Sequence, residues 1–212
     1  MINIIDLRTC SELIRKDVAK STISKVLLEY LSKDIDWRVR QEVAKNNYTS
    51  EEILDELSED EEFGVRQAVA ANINTSKKSL DKLASDEQWV VRMFVAYNPK
   101  TSAKTLDKLF DDEYYQVRTA VAGNKNSSVE TLDKMSYDKD SLVRVAIAEN
   151  PKTSTETLDR LVRDEDWEVR YCVANNIHSS RKARFSLIGD EVLEVSESAK
   201  ISLSMSWTVL IN

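Results

Sequence analysis

The stretch Val91-Arg92-Met93-Phe94-Val95-Ala96-Tyr97-Asn98, read as V-R-x-x-V-A-x-N, returns along the chain at one fixed interval. Its arginine recurs at Arg40, Arg66, Arg92, Arg118, Arg144 and Arg170, each step being 26 residues without insertion. An asparagine keeps the same step at Asn46, Asn72, Asn98, Asn124, Asn150 and Asn176, and an upstream aspartate at Asp34, Asp60, Asp86, Asp112, Asp138 and Asp164. An unbroken register of this kind is that of a repeat array, in which each unit contacts mainly its neighbours. The expectation is one repeat domain over 1–212: a half-unit cap at 1–20, six 26-residue repeats at 21–176 and a degenerate carboxy-terminal cap at 177–212.

Each repeat divides into two helical segments. The first is expected to begin at Thr49, Thr75, Thr101, Ser127, Thr153 or Ser179, whose hydroxyl can accept from the opening turn. The pairs Thr49/Glu52, Ser127/Glu130 and Thr153/Glu156 have the spacing of a capping box, as do Thr9/Glu12 in the amino-terminal cap. Leu54/Leu57, Leu80/Leu83, Leu106/Leu109, Leu132/Met135 and Leu158/Leu161 then mark a buried stripe. The second helix is expected to start near the recurring aspartate. Its buried stripe is read through the aromatics Trp37, Phe63, Trp89, Tyr115 and Trp167, then the Val of V-R, a small residue and the V-A pair. Asn at its end can close it in the left-handed conformation, and Pro99 and Pro151 forbid continuation. Helices this short must be stabilised by stacking.

The register decays towards the end: Val195 keeps its place, but Ser196 stands where Arg is due and Ser202 where Asn is due. The last twelve residues alternate apolar and polar through Ile201, Leu203, Met205, Trp207 and Val209, the period of a strand, and are read as a flap closing the stack.

The 26-residue period falls in the range of ordinary leucine-rich repeats, but L-D-K-L leads here into an acidic turn and a helix, leaving no place for their strand. The chain resembles instead the leucine-rich repeat variant family, through N-P-K-T-S at 98–102 and 150–154, L-x-x-L, the acidic turn and V-R-x-x-V-A-x-N, over about residues 15 to 195. That resemblance implies an all-α, right-handed α-solenoid, a superhelix of short helix pairs without sheet, and leaves open whether one helix of each pair is 3₁₀. The Asp-to-Arg spacing of six also resembles that of HEAT repeats, which implies a structural ladder between units. Six identical Asp and Arg pairs would serve no single catalytic site.

The chemistry of other classes is missing from the sequence. A net charge of −7 argues against nucleic acid, whose phosphates need clustered Lys and Arg. The lone His178 lies in a linker, Gly64, Gly123 and Gly189 are isolated, and Cys10 and Cys172 cannot supply the four thiolates of an iron–sulfur cluster. No cofactor, metal or catalytic residue is expected. With no secretory signal and no apolar run of membrane-spanning length, a cytoplasmic protein without membrane contact is expected. The functional reading is a non-catalytic scaffold for a protein or peptide. The alternative is a HEAT-like nucleic-acid-binding protein or DNA glycosylase-type enzyme, against which count the acidic balance and the placing of Trp37, Trp89 and Trp167 at one repeat position, which marks them as core rather than base-stacking groups. By HEAT analogy the second helices line the concave side, where Met93, Tyr97, Val145 and Tyr171 form an apolar strip with Lys45 and Glu149 as rim charges. The competing reading is that these side chains pack on one another or on the tail.

Overall fold

The structure, a computed structural model, describes residues 7–208, with side chains described through Ser204. Among these residues the elements are α1 (Glu12–Ser21), α2 (Lys25–Leu31), α3 (Trp37–Lys45), α4 (Glu51–Leu57), α5 (Phe63–Ala71), α6 (Lys77–Leu83), α7 (Trp89–Tyr97) and α8 (Ala103–Leu106). There follow α9 (Tyr115–Gly123), α10 (Val129–Met135), α11 (Ser141–Glu149), α12 (Thr155–Leu161), α13 (Trp167–Asn175), α14 (Arg181–Ser186), a 3₁₀ turn at Leu187–Gly189 and α15 (Leu193–Thr208). The fold is an all-helical α-solenoid. Both members of each pair are α-helices. Two compact units divide the chain, Met1–Thr105 and Leu106–Asn212. In the first, the second helices α1, α3, α5 and α7 stack in chain order; in the second, α9, α11, α13 and α15 do the same. The first helices fill the space beside them.

Burial follows the 26-residue register. Leu54, Leu80, Leu132 and Leu158 are fully buried on the first helices, and Val39, Val65, Val91, Val117, Val143 and Val169 on the second. Burying one such aliphatic side chain is worth about 1.5–3 kcal/mol, which helices of seven and nine residues need from their neighbours.

Several local expectations are corrected. The first helices are capped one residue later than expected, by Ser76, Ser128, Ser154 and Ser180, whose hydroxyls accept from the backbone N–H three residues on. Ser50 holds the equivalent position without that bond. The preceding Thr or Ser is buried and donates backwards, as from Thr49 to the Val43 carbonyl and from Thr75 to that of Val69, each at 2.5 Å. That hydroxyl lies against the preceding helix, and the serine after it supplies the oxygen that accepts from the opening turn of the next. Glu52 finds its own backbone N–H and then the Ser50 side chain, which hold its carboxyl below the usual range. Likewise α1 starts behind Ser11, not Thr9.

The second helices start at or beside the aromatic, three residues beyond the recurring Asp. Asp34, Asp60, Asp138 and Asp164 lie in the turn before, each accepting from the N–H two residues on. The closing Asn is not left-handed: Asn46, Asn72, Asn98, Asn124, Asn150 and Asn176 are extended, and no residue among those described has positive φ. The expected strand at the tail is helix as far as Thr208, within α15; residues 209–212 lie outside the described residues. Where Asn should turn the chain out there is Ser202, which has no amide with which to reach back, so α15 runs on through its sixteen residues.

Candidate functional site

The repeated arginine does two things at once. Its Nε and Nη2 grip the aspartate of the following repeat, and its Nη1 donates to the carbonyl of its own repeat's aspartate. In the first unit Arg40 holds Asp60 at 2.6 and 2.8 Å and Arg66 holds Asp86 at 2.6 and 3.1 Å. In the second, Arg118 holds Asp138, Arg144 holds Asp164 and Arg170 holds Asp190, all at 2.6–3.0 Å. The carbonyl bonds run from Arg40 to Asp34, Arg66 to Asp60, Arg92 to Asp86, Arg118 to Asp112, Arg144 to Asp138 and Arg170 to Asp164. The planar fork makes both possible, which an ammonium could not do. Two members join the six expected Asp and Arg positions: Arg15 of the cap grips Asp34, and Asp190 receives Arg170. Beyond Asp190 the ladder stops, because Ser196 bonds only the Ile188 carbonyl.

A second ladder uses the asparagines. Within the first unit Asn72 donates to the carbonyls of Ala44 and Asn46, and Asn98 to those of Ala70 and Asn72. In the second unit Asn150 and Asn176 do the same one repeat along. A third ladder was missed: the Asp that follows the first buried leucine of the central first helices accepts from a hydroxyl of the next. Asp55 takes Ser76 and Ser79, Asp107 takes Thr131, Asp133 takes Thr157 and Asp159 takes Ser180. Its sequence signal was present, since Asp55, Asp81, Asp107, Asp133 and Asp159 are also 26 apart. With their hydrogen-bonding capacity committed to neighbours, these groups form structure rather than a reaction centre.

What remains outward is a stripe on each second helix: its first two positions, the fifth and the ninth, which fall within about 100° of one another around the axis. The recurring aromatic belongs here, correcting its assignment to the core. Phe63 is 47% exposed, Tyr115 39% and Trp167 43%, while Trp37 and Trp89 are half-buried. The reason is rotational: the valine two positions on takes the inward direction, and the aromatic caps the outer edge. Gly64 gives Trp37 and Gln41 their seat, since a Cβ there would lie 3.0 Å from Gln41 Nε2 and 3.5 Å from the Trp37 ring. Gln41 Nε2 donates to the Gly64 carbonyl at 3.0 Å.

Of the strip residues, the first unit holds Lys45, Met93 and Tyr97, and the second holds Val145, Glu149 and Tyr171. Tyr97 and Tyr171 are 56% and 41% exposed, and Met93 and Val145 are half-buried. Lys45 is exposed and bonds Gln41 and Glu42 of its own helix. Tyr171 meets Trp167 edge-on, with ring centroids 6.5 Å apart. Glu149 accepts from the buried Cys172 thiol at 3.6 Å; burial, and this carboxylate after it, push that thiol up to about 12. Cys172 is therefore a poor nucleophile. Cys10 is not in a disulfide, and His178 is an exposed loop residue. Among the described residues no three His, Cys, Asp or Glu side chains gather as a metal site, and no helix is long and apolar enough to cross a membrane.

No protein-family model and no curated protein matches the chain. Among solved structures, a leucine-rich repeat variant with a novel repetitive protein structural motif aligns with a TM-score of 0.70 at 28% identity, covering 93% of this chain and 78% of that one. An engineered protein aligns over 91% of this chain and 97% of its own at 16% identity, but its TM-score of 0.39 carries no argument.

Proposed function

From a chain with the repeat fold of a leucine-rich repeat variant, we propose that the protein is a non-catalytic scaffold that binds a protein or peptide on the outward stripe of its second helices. The observation that carries this reading is the aromatic stripe itself. Phe63 and Tyr97 in the first unit, and Tyr115, Trp167 and Tyr171 in the second, stand exposed on helices whose interior positions are taken mainly by valine and alanine. Exposed apolar residues grouped on one face mark interaction sites more often than scattered ones do, and Tyr and Trp are frequent anchors of such contacts. Met93 in the first unit and Val145 in the second supply apolar floor, with Lys45 and Glu149 adding charge selectivity at the rims of their own units. The polar residues that could mimic a catalytic array are the ladder groups, bonded to their neighbours within each unit.

A photo-crosslinking amino acid placed at Tyr97 or Tyr171, with Lys134 as an off-stripe control, tests this in cells. Discrete polypeptide adducts at the stripe positions and none at Lys134 are expected. Adducts with nucleic acid, or none at any position, would remove the reading.

A further inference from the structure

We propose that the stripe of the second unit takes a polypeptide segment in the polyproline II conformation, carrying one apolar and one cationic residue in every three. This rests on the binding reading above and adds the chemistry of the partner. The first observation is apolar exposure on adjacent helices: Tyr115 on α9, Leu142 on α11, Trp167 and Tyr171 on α13 and Leu193 on α15, from 39% to 64% exposed. The second is the sign of the charge. At the stripe positions of these four helices the charged residues are Glu149, Glu168, Glu194 and Glu197, all exposed, with no lysine or arginine among them; Lys200 borders the stripe on α15.

The third is spacing. Packed helices lie about 8–10 Å apart, so equivalent stripe positions repeat at that distance. A polyproline II segment advances about 3.1 Å per residue with three residues per turn, so every third side chain returns to the same face after about 9.3 Å. A β-strand crossing the same helices would turn its third residue away, because its side chains alternate. The ligand thus places an apolar residue against Tyr115, Trp167 and Leu193, each at the first position of its helix, and the residue beside it against the second positions, which are Leu142 on α11 and Glu168 and Glu194 on the two helices that follow. A PPII ligand also loses little conformational entropy on binding, and exposed aromatics are the surface that suits it.

The test is fluorescence anisotropy with a labelled (Leu-Arg-Pro)4 peptide, a shuffled peptide of the same composition without the period of three, and (Leu-Glu-Pro)4. The periodic cationic peptide should bind the full chain about tenfold more tightly than the shuffled one, and the acidic peptide should not bind. Replacing Glu168→Gln, Glu194→Gln and Glu197→Gln together should weaken binding by about tenfold, as three lost rim pairs would. Replacing Glu130→Gln, Glu165→Gln and Glu191→Gln, exposed carboxylates of the same unit away from the stripe, should change it by less than about threefold. Equal affinity for the shuffled peptide, equal weakening in both triple variants, or no binding at all would overturn the proposal. Crosslinked partners at Tyr171 that lack cationic period-three segments would overturn it while leaving the binding reading in place; an absence of adducts would overturn both.

Discussion

The two units repeat the same internal bonds and differ in what they show to solvent. Arg40 and Arg66 in the first, and Arg118, Arg144 and Arg170 in the second, reach the next repeat's carboxylate with nearly the same distances. On the outward stripes the exposed charges of the first unit are Lys20, Arg38 and Lys45, whereas those of the second are Glu149, Glu168, Glu194 and Glu197. The aromatics follow the same division: Arg38 stacks on Trp37 at 4.8 Å in the first unit, while Trp167 and Tyr171 meet each other in the second. The 26-residue register therefore constrains the inward and lateral positions and leaves the stripe free to vary. Scaffold and surface are separable, and experiments on equivalent positions of the two units can test that.

The largest effect is expected from the arginine ladder. Arg66→Ala in the first unit and Arg118→Ala in the second each leave an aspartate, Asp86 or Asp138, that is at most 9% exposed. Removing one partner of a buried pair costs on the order of 3–5 kcal/mol. Urea midpoints should fall by similar amounts in both, against almost no change for the exposed Lys104→Ala. Midpoints no lower than that control would show that the ladder does not hold the repeats.

Asn72→Ala and Asn150→Ala come next. Each strips the amide donor from two carbonyls of the preceding repeat; those of Asn46 and Asn124 keep the N–H of Thr49 and Ser127, so the cost is about 1–3 kcal/mol for the one remaining acceptor, the carbonyl of Ala44 or Ala122. The same measurement should rank them below the arginines in both units. An Asn variant costlier than its neighbouring Arg variant would reverse the assigned order of the ladders.

Acid should loosen the same bonds. The Arg170 guanidinium holds the Asp190 carboxyl below its ordinary range. At Asp138 burial pushes upward, but the Arg118 bonds and the Asp140 N–H outweigh it and the net direction is again down. A carboxyl depressed in the folded state contributes stability that is fully present above its unfolded value, about pH 4, and is lost as pH falls through the folded value. Urea midpoints taken across that window should drop, and Asp190→Asn should flatten the drop. An unchanged slope would remove Asp190 from the acid response.

The smallest stability effect is expected on the stripe. Tyr97→Ala and Tyr171→Ala should stay within about 1 kcal/mol of the parent while losing any crosslinkable or peptide partner. Loss of helical circular dichroism would instead assign these rings to packing, and the contrast between register and stripe would fail.

The interval of 26 was legible because the interior of a solenoid repeats its geometry, so the same residue type is demanded at the same place. Leu54, Leu80 and Leu132, or Val65, Val91 and Val117, could be assigned to the interior without coordinates. Period alone does not say which atoms a repeated group meets. Thr49 was legible as a recurring hydroxyl, but whether it caps the next helix or bonds the previous one depends on where the Val43 carbonyl lies. Asn72 was legible as a helix terminator, but its extended backbone follows from amide bonds to Ala44 and Asn46, a repeat away in sequence. The aromatics were misassigned for a related reason: a recurring large apolar residue suits both a core and an exposed edge, and only the rotation of each helix about its axis decides between them. That rotation is set by the lateral ladders and by the seat at Gly64, contacts between residues twenty or more positions apart. Sequence determined the repeat and its interior, because those obey local periodicity; tertiary structure decided direction and exposure, because those depend on which neighbour each side chain faces.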